Sequence, residues 1–418
     1  MQIYARCAAP PRKRSSGGNP LLLPGKTSHP GNRMAEGNRR IIYLNNAATT
    51  WPKPPQVMEE VERSLSMPPF EEGRSTLAGQ KDYPRETREL LAEFFRAGPP
   101  EHFIFTQNAT DSLNMAIHGF LHHLGEPCHV ITTELEHNSV LRPLRTMERE
   151  GRISLTIVPF DERGYVTADT VGGSIMKETR LVVMTHGSNV IGTVQDIGEI
   201  GALLRDEGVF FIADGAQTAG QVPVDLGSLP VDVYAFTGHK ALFGMPGIGG
   251  FFIRDPGRAD PVRQGGTGTD SGNPFQEEGM PERFEAGTHN YPGIASLNAG
   301  IGFLQERGIG EVERETMEMT RSLLSELKET GTIAIDNEAP DLPIISLNVK
   351  GMEPQKVGFI LARIYGIICR TGLHCSPLVH RRLNGGRGSV RLSLSCLNTV
   401  EDCNNVADAL AEVAKGAG

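Results

Sequence analysis

From Ile41 onward the sequence alternates short apolar runs with segments of helical periodicity, and that alternation narrows the folds open to it. Phe103-Ile104-Phe105, His129-Val130-Ile131, Leu181-Val182-Val183-Met184 and the run 153–158 have the length and the β-branched or aromatic content of buried strands. Segments 111–124, 140–150 and 197–207 follow several of them with the spacing of helices. Repeated strand–helix units predict an α/β domain with a mostly parallel sheet and ligand groups at the strand ends. Two more apolar runs, 209–213 and 231–236, each end in a chemically loaded segment. The first is followed by Asp214-Gly215-Ala216-Gln217, the second by Thr237-Gly238-His239-Lys240.

Beyond these, a Gly-rich stretch at 265–293 is too long for an ordinary connector, and is expected to be functional or to cover a partner surface. Segment 294–330 reads as helical with a break near Gly308. A strand (344–349), a helix (354–365), a strand (390–394) and a last helix (400–415) then read as a smaller α+β domain. The expected division is an extension over 1–40, a large domain over 41–293 and a small domain over 294–418. The extension is rich in Pro, Gly, Ser and Arg, carries six basic residues and no acid before Glu36, and reads as disordered. It fits either an organelle transit peptide or sequence upstream of a working initiator at Met34. The second is preferred, because sequence that reads as ordered begins soon after Met34.

The chain of 418 residues has a formal charge of -9, and the extension accounts for none of the negative excess. Such a balance argues against a nucleic-acid surface, which needs clustered Lys and Arg. No apolar run has the length of a membrane span. Six cysteines without C-x-x-C spacing argue against a metal site or a disulfide framework, and for a reducing compartment, the cytoplasm.

An acid and a lysine at two neighbouring strand exits suit pyridoxal 5′-phosphate. The lysine amine can bond to the cofactor's aldehyde, and the carboxylate can keep the pyridine nitrogen protonated. Lys240 precedes Gly244, Gly247, Gly249 and Gly250, where a backbone can approach a ligand closely. Asp214 can equally cap a helix, and Gln217 lies within the same helix entry, in reach of the phenolic oxygen. Thr106-Gln107-Asn108-Ala109-Thr110-Asp111 opens a helix whose free N–H groups form a phosphate cup, or are simply capped. His137 either makes structural hydrogen bonds or stacks on the ring, and Asn189 meets either the backbone or a substrate carboxylate. Arg391 interrupts a strand as an edge residue or as a carboxylate clamp. Cys369 ends an apolar run and reads as core. Cys375, in a Gly- and Pro-flanked loop beside His374, is either incidental or an accessible nucleophile.

These segments together resemble the class V, fold-type I PLP enzymes, and within them the group II, Suf-type cysteine desulfurases. The likeness spans about 41–413 and rests on ordered pieces. These include Tyr43-Leu44-Asn45-Asn46-Ala47-Ala48-Thr49, Glu136-His137-Asn138, Ser188-Asn189-Val190, the two segments around Asp214 and Lys240, Phe284-Glu285-Ala286-Gly287-Thr288, and Arg370-Thr371-Gly372-Leu373-His374-Cys375. The resemblance implies a large domain with a mostly parallel seven-stranded sheet, a smaller α+β C-terminal domain and a homodimer. It makes Lys240 the Schiff-base lysine, Asp214 the partner of the pyridine nitrogen, Gln217 that of the phenolic oxygen and His137 the ring-stacking residue. Ala109, Thr110, Thr237 and His239 would hold the phosphate, with Thr288 reaching it from the other subunit. Arg391 and Asn189 would bind the carboxylate of L-cysteine. Cys375 would take the sulfur as a persulfide and pass it to an acceptor protein, as in iron–sulfur cluster assembly, leaving alanine.

Two positions depart from the family's loop, Leu373 and Ser376, and the loop Glu72-Gly73-Arg74-Ser75-Thr76 lacks a histidine common in that region. These departures imply a side branch of the family. The alternatives on the same scaffold are a selenocysteine lyase, an aminotransferase or an epimerase. A further alternative is a non-catalytic PLP-holding protein in sulfur trafficking. A transaminase has no use for Cys375, and a non-catalytic protein would be yellow but inert toward cysteine.

Overall fold

A computed structural model of the chain describes residues 40–68 and 80–416. The basic extension before residue 40 and the loop Glu72-Gly73-Arg74-Ser75-Thr76 lie outside the described residues. The order of elements begins β1 (Ile42–Tyr43), α1 (Pro55–Ser66), α2 (Tyr83–Phe94), β2 (Phe103–Thr106), α3 (Ala109–Leu124), β3 (Cys128–Thr133) and α4 (Asn138–Arg149). It continues β4 (Ile153–Val158), α5 (Ala168–Gly172), β5 (Thr179–Thr185), α6 (Ile197–Asp206), β6 (Phe210–Asp214), β7 (Val233–Thr237) and β8 (Gly249–Ile253).

Strands β2 to β8 form one seven-stranded sheet in the order β2-β8-β7-β6-β5-β3-β4. Its pairings from β7 to β4 are parallel, and β8 runs against both of its neighbours. Side chains alternate across the sheet, as the pleat requires. Phe210 and Ile212 of β6, with Val233 and Ala235 of β7, enter one apolar core. Phe211, Ala213, Tyr234 and Phe236 enter the other. Both faces are therefore covered, which is why these strands read as unbroken apolar runs rather than alternating ones. Each fully buried side chain of this size contributes roughly 1.5–3 kcal/mol over leaving it exposed.

The Gly-rich stretch ends at α7 (Tyr291–Arg307), and α8 (Ile309–Glu329) follows after Gly308, whose φ of 80° breaks the helix. Ile294, Leu297, Ile301 and Leu304 of α7 pack into the large core. Leu323, Leu324 and Leu327 of α8 instead join a third core under the C-terminal elements. Those are β9 (Ile333–Ile335), β10 (Ile344–Val349), α9 (Pro354–Ile360), β11 (Ile367–Ile368), β12 (Arg370–Gly372), α10 (Pro377–Asn384), β13 (Ser389–Ser393) and α11 (Val400–Lys415). An antiparallel sheet of order β12-β13-β10-β9 forms their centre. The start of the described chain joins them: β1 pairs in parallel with β11, and the Ser393 N–H donates to Leu44 O at 2.9 Å. Residues 45–48 are thereby threaded between the two sheets.

Gly249 and Gly250, whose missing side chains allow close backbone approach, begin β8, and one expectation changes. Arg391 does not interrupt its strand: β13 is continuous and interior, and the side chain is 1% exposed. The edge reading of Arg391 is thus excluded.

Candidate active site

A cleft of about 420 Å³ opens at the carboxyl ends of the parallel strands, the position an α/β sheet reserves for ligands. Its floor is set by strand ends. Asp214 is the last residue of β6 and Thr237 the last of β7, and Gln217, His239 and Lys240 follow within three residues of each strand's end. Gly215 is required beside Asp214, because a Cβ there would fall 2.2 Å from Cζ of Tyr234. The expected helix entry after Asp214 is absent. Residues 216–221 form turns, with Ala219 N–H donating to Gly215 O, Val222 N–H donating to Thr218 O and Gly220 at φ 83° between them. Asp214 is therefore not a helix cap; its carboxylate accepts the Ala216 N–H at 2.9 Å.

Burial dominates the electrostatics of the floor. It raises the Asp214 carboxyl above its usual range, opposed by the Ala216 N–H and the Lys240 charge. It lowers the Lys240 amine to about 8 despite the pull of Asp214, so a useful share is unprotonated near neutral pH. His137 caps α4, its Nδ1 accepting the Ser139 N–H at 3.1 Å. Burial, followed by the Lys240 charge, holds its imidazole down to about 4. The ring therefore lines the cleft in its neutral form, and the structural role and a place in the site coexist.

One end of the cleft is short of partners. Thr237 Oγ1 and His239 Nδ1 are buried and bond to nothing among the described residues. Close by, Asn108 caps α3 by accepting the Asp111 N–H at 3.1 Å, while Ala109 and Thr110 occupy the first turn, whose N–H groups have no intrahelical acceptor. Thr110 Oγ1 lies 2.7 Å from Ser139 Oγ. Orphaned donors at a helix N-terminus are the chemistry of a phosphate site, so these residues fit the phosphate of PLP.

The opposite wall comes from the C-terminal sheet. Arg370 and Arg391 face each other directly across β12 and β13, and both line the cleft. Like charges in opposite register are unfavourable unless an anion lies between them. Burial, and then Arg370, lowers the Arg391 guanidinium to about 9. Arg391 Nη1 donates to Asn189 O at 2.8 Å, and its Nε has no partner among the described residues. Asn189 is tied to the cysteine loop: its Nδ2 donates to His374 O at 2.8 Å, and Ser376 Oγ donates to its Oδ1 at 2.7 Å.

The loop itself holds two consecutive non-glycine residues in the left-handed region, His374 at φ 51° and Cys375 at φ 63°. Such strain persists only where the surroundings impose it, and it is concentrated at functional sites. Asn138 N–H donates to Cys375 O at 2.8 Å, and Arg370 Nη2 donates to Cys375 Sγ at 3.4 Å. Cys375 is half-buried and lines an adjoining groove; Thr110, His137 and Ser139 line both spaces. Burial pushes Cys369 up to about 12 and Cys396 to about 11. Thr288 stands apart from its own chain's cleft, exposed within the Gly-rich stretch.

Sequence reasoning assigned no role to Arg370 or Ser139. The cross-strand register with Arg391 singles out Arg370. Ser139 is found only by its position between Thr110 and His137.

A family model described as Aminotransferase class-V matches residues 42–406. A probable cysteine desulfurase of Methanothermobacter thermautotrophicus is 31% identical over 386 residues, covering 90% of this chain and 95% of that protein. A second, from Aeropyrum pernix, is 32% identical over 407 residues with the same coverage of each. Among solved structures, the apo cysteine desulfurase of Thermococcus onnurineus superposes with a TM-score of 0.80 at 29% identity, covering 90% of this chain and 95% of that one. A seven-stranded α/β sheet with a lysine and an acid at adjacent strand exits, matched over nearly its whole described length, places this chain in the class-V aminotransferase family of PLP-dependent enzymes.

Proposed function

We propose that this protein is a PLP-dependent cysteine desulfurase. It converts L-cysteine to L-alanine and keeps the sulfur as a persulfide on Cys375. The observation that carries this reading is the strained left-handed turn that holds Cys375 beside the cleft, with a guanidinium against its sulfur. A transaminase gains nothing from such a loop.

The cofactor, when bound, supplies an aldehyde for Lys240 and a ring that accepts electrons from the substrate carbon. Asp214 would hold the ring nitrogen, Gln217 the phenolic oxygen and His137 the ring face. Ala109, Thr110, Thr237 and His239 would hold the phosphate, joined by Thr288 of a second copy in a homodimer. Arg391, with Asn189 and Arg370 beside it, takes the substrate carboxylate and fixes where its sulfur points. The Lys240 amine, lowered to about 8, accepts the Cα proton at Nζ. The Cys375 thiolate then attacks the substrate sulfur. A sulfur–sulfur bond forms, the carbon–sulfur bond breaks with its electrons left on carbon, and protonation completes alanine.

Alanine release from L-cysteine in the presence of a thiol reductant tests the proposal, comparing native protein with Cys375→Ala. Alanine from the native protein and not from the variant is the expected result. Alanine from both moves the sulfur chemistry away from Cys375. None from either, in PLP-loaded protein, removes the desulfurase reading.

A further inference from the structure

Cys375 lines a groove of about 610 Å³ that adjoins the cleft, and the charge of that groove is unbalanced. Two helices build it. Thr110, Asn114 and His118 are spaced one turn apart along α3, and Asn138, Arg142 and Thr146 repeat that spacing along α4. Arg152, just beyond α4, also lines it. Arg142 and Arg152 are exposed and have no carboxylate partner among the described residues. Arg145 of the same helix, by contrast, is paired with Glu148 at 2.6 Å. Glu150 is the one acid lining the groove. After burial, the Arg152 charge holds His118 below its ordinary range, with Glu150 opposing it.

We infer that this groove seats a small anionic thiol that takes the sulfur from Cys375, an inference that rests on the desulfurase reading. Its volume falls in the range of small-ligand sites, and two unpaired guanidiniums favour carboxylates. The transfer needs no oxidant. The acceptor thiolate attacks the outer sulfur of the Cys375 persulfide, a new sulfur–sulfur bond forms, and the bond to Cys375 Sγ breaks. Cys375 leaves as thiolate and recovers the proton that the acceptor gave up.

The test uses PLP-loaded protein, native and Arg142→Gln/Arg152→Gln. After L-cysteine alone, mass spectrometry reads the persulfide on Cys375. Its discharge is then timed with mercaptosuccinate, neutral 2-mercaptoethanol and cationic cysteamine. Comparing each thiol between the two proteins cancels differences in intrinsic thiol reactivity. Discharge by mercaptosuccinate is expected to slow about tenfold in the variant, the scale of two exposed ion pairs, with 2-mercaptoethanol little changed. The mercaptosuccinate advantage should also shrink with added salt. Equal effects on all three thiols overturn the inference alone. Discharge by no small thiol overturns it in favour of a macromolecular acceptor. Absence of the persulfide overturns the desulfurase reading and this inference with it.

Discussion

The floor and the wall of the cleft are built on opposite plans. The floor residues, Asp214, Thr237, His239 and Lys240, sit within a few residues of buried strands, and two of them carry a buried side-chain atom with no hydrogen-bond partner among the described residues. The wall residues, Asn189, His374, Cys375 and Ser376, are cross-tied to one another, yet two of them carry backbone strain. An unstrained scaffold with unmet bonding is prepared for a resident guest. A strained loop cross-tied through Asn189, with His374 Nδ1 also buried without a partner among the described residues, is prepared to present one atom. Holding the cofactor and moving the sulfur are therefore expected to be separable by mutation.

The sharpest way to break that separation begins at Lys240. Lys240→Ala should lower alanine formation by about 10⁴-fold, the upper range for a proton-transferring group, and abolish the visible absorbance of lysine-bound cofactor. Cys375→Ala should lower turnover by roughly 10²-fold or more while leaving that absorbance intact. Loss of cofactor in the cysteine variant would show that floor and wall are one unit. Ser376→Ala leaves Asn189 Oδ1 buried without its donor, and should destabilise the fold by about 1–3 kcal/mol in urea titration. It should also reduce kcat with cofactor content unchanged.

The smallest expected effect concerns pH. Burial holds His137, His186, His239 and His380 down to about 4, against an ordinary value of 6.5. Between pH 6.5 and 4 the unfolded chain binds protons that the folded chain refuses, so stability falls as pH falls through that window. Glu136 acts in the opposite sense: burial raises its carboxyl to about 8, so its contribution declines as pH rises from 4.5 to 8. Asp336, raised by burial to about 6, acts in the same sense as Glu136, and the four imidazoles outnumber these two carboxyls on the acid side. Both ring nitrogens of His380 lack partners among the described residues, so His380→Leu sacrifices no hydrogen bond and should flatten the acid slope by up to one proton. Urea midpoints measured from pH 4 to 6.5 would read it.

The same contrast explains what was legible in the sequence. The floor was legible because strand, exit and functional residue lie in one short window, as at Asp214 and Lys240. Strand β8 was obscured by its own chemistry. A Cβ on Gly249 would lie 2.7 Å from Asn108 Cα, and one on Gly250 would lie 2.5 Å from Ile104 O. Those glycines mark close packing within a sheet, although in sequence they look like a loop. The turns after Asp214 were mistaken for a helix because Gly220, whose φ of 83° departs from helical geometry, lies beyond the motif. In the wall, Cys375 was legible from its loop, but Arg370 acquires meaning only through its register opposite Arg391, and Asn189 through contacts to residues far along the chain. Such pairings leave no local pattern.

The tie between β1 and the C-terminal sheet imposes a schedule on synthesis. Asn46 Nδ2 donates to Ser393 O across 347 residues of chain. Residues 45–48, made early, therefore have no stable seat until β13 leaves the ribosome. At typical elongation rates Arg391 follows Lys240 by on the order of ten to thirty seconds. For that interval the nascent protein has its lysine and its proposed phosphate cup but no arginine wall. Cofactor met in that window would find a site open on one side, so durable capture belongs to the finished chain.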